Sequence, residues 1–574
     1  MGEVAAMSTE QRADDDDVVP GVAGGGFDAV LASSMLHSAR IPAKTAARVV
    51  GAILRTPGPA ARRLGRGLLR QLAVGLGRDE DGLPKLDRRF ADPAWHGNPV
   101  LRRLAMSYLA WADAVNDVLT GTPLDWQTRQ RATLLLDNLV AAAAPTNVPL
   151  VNPASAKQAW DTGGGSLLRG LRQFLHDLQR PPRLPALVDS SAYTIGKDLA
   201  VTPGAVVQRG EVAELIQYAP AAERVDQVPV LMVASPVNKY YLLDLGPGRS
   251  VVSALQAAGR QAFITSWINP DERQRDIGLD GYVRALLDML DAVRDIAGSP
   301  RVHLLGLCAG GMISLAAAGY LAATGRQEDL ATLSLGVAVA DFAHGGLVGA
   351  LMDEETAVVA GRRASRRGYV AAADTAAGFA WIRPDEGVWM NVVNNYLLGQ
   401  SPGRSELLFW AADYTNMTAR LGEDMLGLQL RNSVANPGAL RVLDVPVDLR
   451  RLTLDSYLLG ASTDHIMPWA DCYRTRALLG GTSRFVLAIG GHAKVLGVPP
   501  GSPRLRYRTG TSDSADPAEW LDTSIEHQGS WWEDWSSWIT SHTPETRPAP
   551  ARLGSSTYPP LADAPGELVH RRAL

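Results

Sequence analysis

Two different patterns of apolar and polar residues meet near position 200 of the chain. Before it, from about residue 28, apolar residues recur at helical spacing in runs such as VLRRLAMSYLAWADAVNDVL and RATLLLDNLVAA. After it come short, nearly continuous apolar runs, most of them separated by helical patterns, at 228–236, 261–267, 301–308, 330–341, 454–462 and 484–490. Apolar strands that alternate with helices indicate a parallel sheet buried on both faces. The pattern therefore predicts a mainly helical N-terminal domain over 28–200 and an α/β domain over 201–541.

Three further segments flank or interrupt these domains. Residues 1–27 contain four consecutive aspartates and three consecutive glycines, a composition typical of a disordered leader. The segment from about 342 to 453 is too long for a crossover between parallel strands, and it predicts a cap inserted into the α/β domain. Residues 542–574 are rich in proline and lack apolar periodicity, which predicts a Pro-rich C-terminal tail that is extended along the surface or disordered.

Composition and charge exclude several classes of protein. The 574 residues include 56 basic and 60 acidic side chains, a net charge of −4, whereas a nucleic-acid binder normally carries a basic face. Two cysteines exclude a disulfide scaffold and a cysteine-rich metal site. No run approaches the roughly 18 uninterrupted apolar residues of a membrane span, and the N-terminus is acidic where a signal peptide is basic. These features predict a cytoplasmic protein of a size typical of enzymes.

The strongest local signal is the pentapeptide GLCAG at 306–310, directly between the apolar run RVHLL and a helical run. A nucleophile on a sharp strand-to-helix turn needs small neighbours because the backbone there is strained and closely packed, and Gly306 and Gly310 meet that need. This is the nucleophile elbow of the α/β-hydrolase fold, with Cys308 in place of serine. The N-terminus of the following helix favours the thiolate. On these five residues alone, a chance match around an inert buried cysteine stays open.

The same fold predicts an acid after a later strand and a histidine after the last one. Asp464 follows the apolar run LDSYLLGAS, and His492 follows RFVLAIGG, so the order Cys308, Asp464, His492 agrees with the order that the fold requires. His465 is the competing histidine, and its position beside the acid predicts a role in shaping the cavity. His303 lies inside an apolar strand run, which predicts a satisfied core residue.

Other candidates carry weaker signals. The backbone N–H of Ala309 is the first donor expected for an oxyanion, and the loop SPVN at 235–238 contains the second, for which we take Val237. Cys472 lies in the helical pattern PWADCYRTRALLG and predicts a buried, slow thiol. The tryptophans of GSWWEDWSSW repeat at helical spacing, which is typical of packing. No zinc, calcium or dinucleotide motif is present.

The chain resembles the polyhydroxyalkanoate synthases, the polyester polymerases of bacterial storage granules, and is most similar to the class II, medium-chain type. The resemblance runs from about Asp87 to the C-terminus through DRRFADPAWHGNP, PTNVPLVNPA, NKYYLLDLGPGRS, SWINPDERQRDIGLDGYV, LLGLCAGG, FAWIRPDEGVWMNVVNNYLLG, LLFWAADYTNMT, STDHIMPW and SIEHQGSWWEDWSSW. It implies that Cys308 is the nucleophile, Asp464 the acid and His492 the base. It also implies that Asn432 is the asparagine that the cap brings near the nucleophile.

The resemblance implies a polymerase that transfers 3-hydroxyacyl groups from CoA thioesters onto a growing polyester through an acyl-cysteine, with release of CoA. It implies no cofactor, because CoA enters as part of the substrate, and it implies a homodimer at the surface of cytoplasmic polyester granules. A cysteine suits this chemistry because thioester exchange keeps the acyl group activated. An acyl-CoA thioesterase on the same fold is the alternative, and a granule scaffold with a vestigial site is a third possibility.

Overall fold

The computed structural model describes residues 40–78, 87–343, 350–351, 354–464 and 466–573. The predicted leader at 1–27 and His465 lie outside the described residues. The described chain divides into two compact units: residues 40–189 together with Phe379–Gly403, and Ser190–Gly378 together with residues 404–573.

The first unit is helical, as the amphipathic pattern predicts. Its helices are α1 Arg40–Arg55, α2 Pro57–Gly75, α3 Pro93–Gly97, α4 Pro99–Thr120, α5 Trp126–Ala142, α6 Pro153–Asp161 and α7 Gly165–Leu178, with π-helical turns at Asp385–Trp389 and Val392–Leu397. Local sequence sets several helix starts: at α4 the side chain of Asn98 accepts hydrogen bonds from the N–H groups of Val100 and Leu101. The segment Phe379–Gly403, which lies inside the predicted cap, belongs to this unit. There, Nδ2 of Asn138 donates to the carbonyl of Trp381 at 2.9 Å.

The second unit contains the predicted α/β domain. Its strands are β1 Gly204–Arg209, β2 Ala213–Tyr218, β3 Arg224–Asp226, β4 Val230–Val233, β5 Ala262–Trp267, β6 Val302–Leu307, β7 Leu330–Gly336, β8 Tyr369–Val370, β9 Met417–Thr418, β10 Arg441–Val442, β11 Val445–Pro446, β12 Ser456–Ala461, β13 Ser483–Ala488, β14 Arg506–Thr509, β15 Ile525–Gln528, β16 Thr546–Pro548 and β17 Ala562–Asp563. All six apolar runs contain a strand, β4, β5, β6, β7, β12 and β13 in turn, which confirms that prediction.

An 11-stranded sheet runs through this unit in the order β15-β14-β13-β12-β7-β6-β4-β5-β2-β1-β17. The six strands from β5 to β13 are parallel, and antiparallel strands extend the sheet on both sides. This parallel centre, with an elbow after β6, is the α/β-hydrolase core that the sequence predicts. The carboxyl ends of β4, β6, β12 and β13 lie at one edge, so the loops that follow them converge there.

Helices cover the sheet and form the region between β7 and β12. They are α8 Val251–Ala257, α9 Leu279–Ala297, α10 Ala309–Ala323, α11 Glu354–Arg367, α12 Ala372–Ile382, α13 Glu406–Ala412, α14 Ala419–Leu430, α15 Trp469–Arg474, α16 His492–Gly497, α17 Pro517–Thr523 and α18 Trp531–His542. Gly298 ends α9 in the left-handed conformation at φ 55°, as a C-terminal glycine does. Among the described residues, no helix combines the length and apolarity needed to cross a membrane.

The C-terminal segment is extended and paired with the domain. β16 pairs with β3, and β17 pairs with β1 at the edge of the large sheet. Beyond β17, the side chains of Leu568 and Val569 are buried. The sequence did not predict these two strands, because a strand of only two or three residues is too short to show an apolar periodicity.

Two predictions about core residues are confirmed. His303 is buried, with Nδ1 2.8 Å from the hydroxyl of Thr332 and Nε2 2.7 Å from that of Thr543, and burial lowers its pKa to about 3. The tryptophans at the start of α18 pack inside the domain, and three of them, Trp531, Trp532 and Trp535, are at most 3% exposed.

Candidate active site

Cys308 lies at the turn between β6 and α10, where the backbone is strained. Its φ of 54° and ψ of −126° fall in a region that residues with a Cβ rarely adopt. A Cβ on Gly306 would stand 2.5 Å from Oγ of Ser314, and a Cβ on Gly310 would stand 2.5 Å from the carbonyl oxygen of Ala234. Both flanking glycines are therefore required by close packing, as the elbow pattern predicts.

The two backbone N–H groups that the sequence predicts as oxyanion donors belong to the residue after Cys308 and to the loop after β4. Ala309 begins α10, so its N–H belongs to the first turn, where a helix supplies no carbonyl partner. Across the sheet edge, Val233 at the end of β4 pairs with Gly306 in register, so the loop after β4 starts beside the elbow. In that loop the N–H of Val237 donates to Oγ of Ser235 at 3.3 Å, a long bond.

Asp464 and His492 come together at the same edge, after β12 and β13. Nδ1 of His492 is 2.6 Å from Oδ2 of Asp464, and both side chains are almost fully buried. The other carboxylate oxygen of Asp464 accepts hydrogen bonds from the N–H groups of Ile466 and Met467, at 2.9 and 3.0 Å. The carboxylate is thereby held with one oxygen directed at the imidazole.

The charge environment of His492 favours the imidazolium. Burial opposes it, but the charges of Asp464 and then of Cys308 raise the pKa of His492 well above its usual value. Nε2 of His492 is buried, and none of the described residues forms a hydrogen bond with it. The arrangement suits proton exchange between the thiol and Nε2.

The other sequence candidates have different surroundings. Asn432 adopts a φ of 47°, and its side chain holds the segment after β7: Nδ2 donates to Asp341 at 2.8 Å, and Oδ1 accepts from the N–H of Phe342 at 2.9 Å. Its proximity to the nucleophile stays a prediction. Cys472 is buried in α15, where burial first, and then the charges of Asp464 and Asp471, raise the pKa of its thiol well above the usual value.

Comparison with known proteins identifies the family. The family model described as the N-terminus of poly-beta-hydroxybutyrate polymerase matches residues 86–255. The chain is 39% identical over 499 residues to poly(3-hydroxyalkanoate) polymerase 1 of Ectopseudomonas oleovorans, covering 87% of this chain and 89% of that protein. The chain belongs to the poly(3-hydroxyalkanoate) polymerase family. Polymerase 2 of the same organism is 40% identical over 85% of this chain and 87% of its own length, and the polymerase subunit PhaC of Cupriavidus necator is 35% identical over 87% and 86%.

Solved structures are more distant from this polymerase-family chain. A bromoperoxidase from Bacillus anthracis covers 50% of the chain and is matched over 92% of its own length, at a TM-score of 0.30 and 11% identity. The structure of DcsB in complex with its substrate analogue covers 60% and is matched over 99%, at a TM-score of 0.34 and 12% identity. TM-scores this low do not identify a fold, so the fold assignment rests on the strand order and on the elbow.

Sequence reasoning missed residues that hold the site of this polymerase-family chain in place. Nε1 of Trp531 donates to the carbonyl of Val495 at 2.7 Å and so fixes α16, the helix that begins with His492. Nε1 of Trp267 donates to the carbonyl of Ala234 at 2.7 Å, at the start of the loop after β4. No local signal distinguishes these bonds, because each joins segments distant in sequence. Within the described ranges, no group of three or more His, Cys, Asp or Glu side chains is arranged to hold a metal ion.

Proposed function

We propose that this chain is a poly(3-hydroxyalkanoate) polymerase that transfers 3-hydroxyacyl groups from CoA thioesters to a growing polyester through an acyl-cysteine. The acyltransferase class follows from the family. The observation that supports the covalent mechanism is the buried contact of 2.6 Å between Asp464 and His492, with Cys308 raising the pKa of the same imidazole. A nucleophile, a base and an oriented carboxylate are the components of such a site.

In the acylation step, His492 accepts the thiol proton of Cys308 at Nε2, and the sulfur attacks the thioester carbonyl. The C–S bond to CoA breaks, and the departing thiolate takes the proton from the imidazolium, so free CoA leaves. Asp464 stabilises the positive charge that His492 carries in between. Because one thioester replaces another, the acyl group keeps its free energy of transfer for the next step.

In the transfer step, a 3-hydroxyl group attacks the acyl-cysteine. His492 accepts the hydroxyl proton, the C–O bond forms, and the bond to sulfur breaks as Cys308 regains a proton. The N–H groups of Ala309 and Val237 are the proposed donors to the negatively charged oxygen in both steps. Water must be excluded from the acyl-cysteine, because its hydrolysis would end the chain. No cofactor is required for either step.

The proposed partners follow from this reaction and from the resemblance to medium-chain synthases. The substrates are 3-hydroxyacyl-CoA of medium chain length and the polyester chain itself. The product is insoluble, so we place the enzyme at the granule surface in the cytoplasm, as a homodimer.

Purified protein given 3-hydroxybutyryl-CoA or a medium-chain 3-hydroxyacyl-CoA tests the proposal. Free CoA and insoluble polyester are measured in the same reaction. CoA release that matches the monomers found in polyester is the expected result. CoA release with only free 3-hydroxy acid would instead indicate a thioesterase and would overturn the proposal. Turnover of the four-carbon substrate alone would remove the medium-chain assignment.

A further inference from the structure

Hydrogen bonds hold several backbone carbonyl groups of the loop that follows β4. The carbonyl of Pro236 accepts from Oγ1 of Thr415 at 2.7 Å, and the carbonyl of Val237 accepts from the N–H of the same threonine at 3.0 Å. At the far end of the loop, the carbonyl of Lys239 accepts from Nε1 of Trp410 at 2.6 Å. A loop that supplies an oxyanion donor needs such support, because the donor must not move when charge develops.

The side chain of Lys239 is unusually placed for a lysine. It is 3% exposed, and Nζ lies 3.1 Å from Oδ1 of Asp413 and 2.6 Å from the carbonyl oxygen of Val569. The hydroxyl of Tyr241 donates to Oδ2 of Asp413 at 2.9 Å, so both carboxylate oxygens are engaged. A buried lysine is costly unless its donors are satisfied, and here one of the acceptors, the carbonyl of Val569, comes from the C-terminal segment.

The C-terminal segment is itself held firmly where it reaches Lys239. The buried carboxylate of Glu214 accepts from the N–H groups of Glu567 and Leu568, each at 3.1 Å from Oε2. Three residues after Leu568, the carbonyl of Arg571 accepts a hydrogen bond from Nδ2 of Asn269 at 3.2 Å. Val569, between these anchors, is 2% exposed. Its carbonyl is therefore presented to Lys239 in a fixed position.

We propose that Lys239, held between Asp413 and the carbonyl of Val569, is a positioning residue that holds the loop after β4 in its catalytic geometry. The C-terminal segment then supports catalysis through its contact with Lys239. Lys239 is two residues from Val237, so loss of the bond to Val569 shifts the proposed oxyanion donor. The inference rests on the proposed polymerase function.

The test compares Lys239→Met with a chain that ends at Glu567, which retains β17 and lacks Val569. Steady-state CoA release with 3-hydroxyacyl-CoA gives kcat and KM, and circular dichroism verifies folding. Each change lowers kcat about 10- to 100-fold, the effect of moving a catalytic group by about 1 Å. KM stays within about two-fold, because the oxyanion forms only after binding. If Lys239→Met does not fold, the kcat and KM of the chain that ends at Glu567 test the proposal.

A double-mutant cycle separates positioning from a general loss of structure. If the segment acts through Lys239, then Lys239→Met costs less than about two-fold in kcat once the chain ends at Glu567. Ser555→Ala, which removes the bond from Ser555 to Asp295 elsewhere in the same segment, is the control and keeps kcat within about two-fold, as does removal of residues 573–574. Unchanged kcat in either test variant, or losses that multiply in the double variant, would overturn the inference. A parent protein that releases CoA but makes no polyester contradicts the proposed function instead.

Discussion

Replacing Asp464 with asparagine tests the proposed triad, and the structure specifies why the change is severe. Oδ1 of Asp464 accepts two hydrogen bonds, from the N–H groups of Ile466 and Met467. In Asp464→Asn only the amide oxygen can accept them, so the NH₂ group must point at Nδ1 of His492. Nδ1 must then accept a hydrogen bond, which forces the ring proton onto Nε2. That nitrogen can no longer take a proton from Cys308.

The magnitude follows from this change of tautomer and from the lost charge. Fixing the wrong tautomer in a comparable triad lowers kcat by about 10⁴-fold, equivalent to about 5 kcal/mol of activation free energy. We therefore expect Asp464→Asn to lower kcat by about 10³- to 10⁴-fold, with intact folding by circular dichroism. The assay is CoA release from 3-hydroxyacyl-CoA under single-turnover and steady-state conditions, which separates formation of the acyl-cysteine from its transfer.

A second Asp–His pair, at the opposite end of β12 from Asp464, supplies the matched control. Asp455 precedes β12 and lies 3.0 Å from Nε2 of His542, at the edge of the sheet opposite to Asp464. Asp455→Asn also removes a carboxylate from an imidazole, and kcat stays within about two-fold of the parent. If Asp464→Asn keeps more than a tenth of the parent kcat, or if both variants lose activity equally, the assignment of the acid is wrong.

Three further predictions concern the cysteines, the histidine and the elbow. After a brief reaction quenched in acid, we expect the 3-hydroxyacyl adduct on the peptide containing Cys308 and not on the peptide containing Cys472. Cys308→Ser lowers the rate of polymer synthesis about 10³-fold or more, whereas Cys472→Ala changes that rate little. The pKa of His492 in the folded state is raised above 6.5, so the charged ring stabilises the fold fully below about pH 6.5, and this stabilisation is lost as the pH rises through the folded-state pKa. In urea unfolding, His492→Gln therefore loses the most free energy of unfolding, relative to the parent, at low pH. A loss that grows with pH would contradict the raised pKa. Gly310→Ala lowers the free energy of unfolding by about 2–4 kcal/mol, because the added Cβ meets carbonyl oxygens. The control Gly361→Ala, whose Cβ has open space around it, raises the free energy of unfolding by about 0.5–1 kcal/mol. Equal effects of the two substitutions in thermal melts would contradict close packing at Gly310.

The features that could be predicted from the sequence are those with a local signal. The elbow needs small residues within two positions of Cys308, so a pentapeptide is enough to predict it. The parallel strands are buried on both faces, so each is an uninterrupted apolar run. Asp464 and His492 follow such runs, and the fold orders them. Each of these signals lies within about ten residues of the feature that it predicts.

The features that were missed depend on partners far along the chain. β1 and β2 were not predicted, because β2 contains Glu214 and Gln217, polar residues that are buried only because other segments satisfy them. The carboxylate of Glu214 accepts a hydrogen bond from the N–H of Leu568, which is 354 positions away. The side-chain contacts of Asn432 with Asp341 likewise join segments 91 positions apart. No short window of sequence contains both members of such a pair.

The pairing of β1 with β17 has a consequence for how the protein is made. The contact between Leu568 and Glu214 beside it spans 354 positions, and at 5–20 residues per second a ribosome needs about 20–70 s to synthesise that length. During this interval β1 exposes an unpaired edge, the type of surface that pairs with other chains. A period of this length gives chaperones time to act on that edge, and it ends once β17 has been synthesised and pairs with β1.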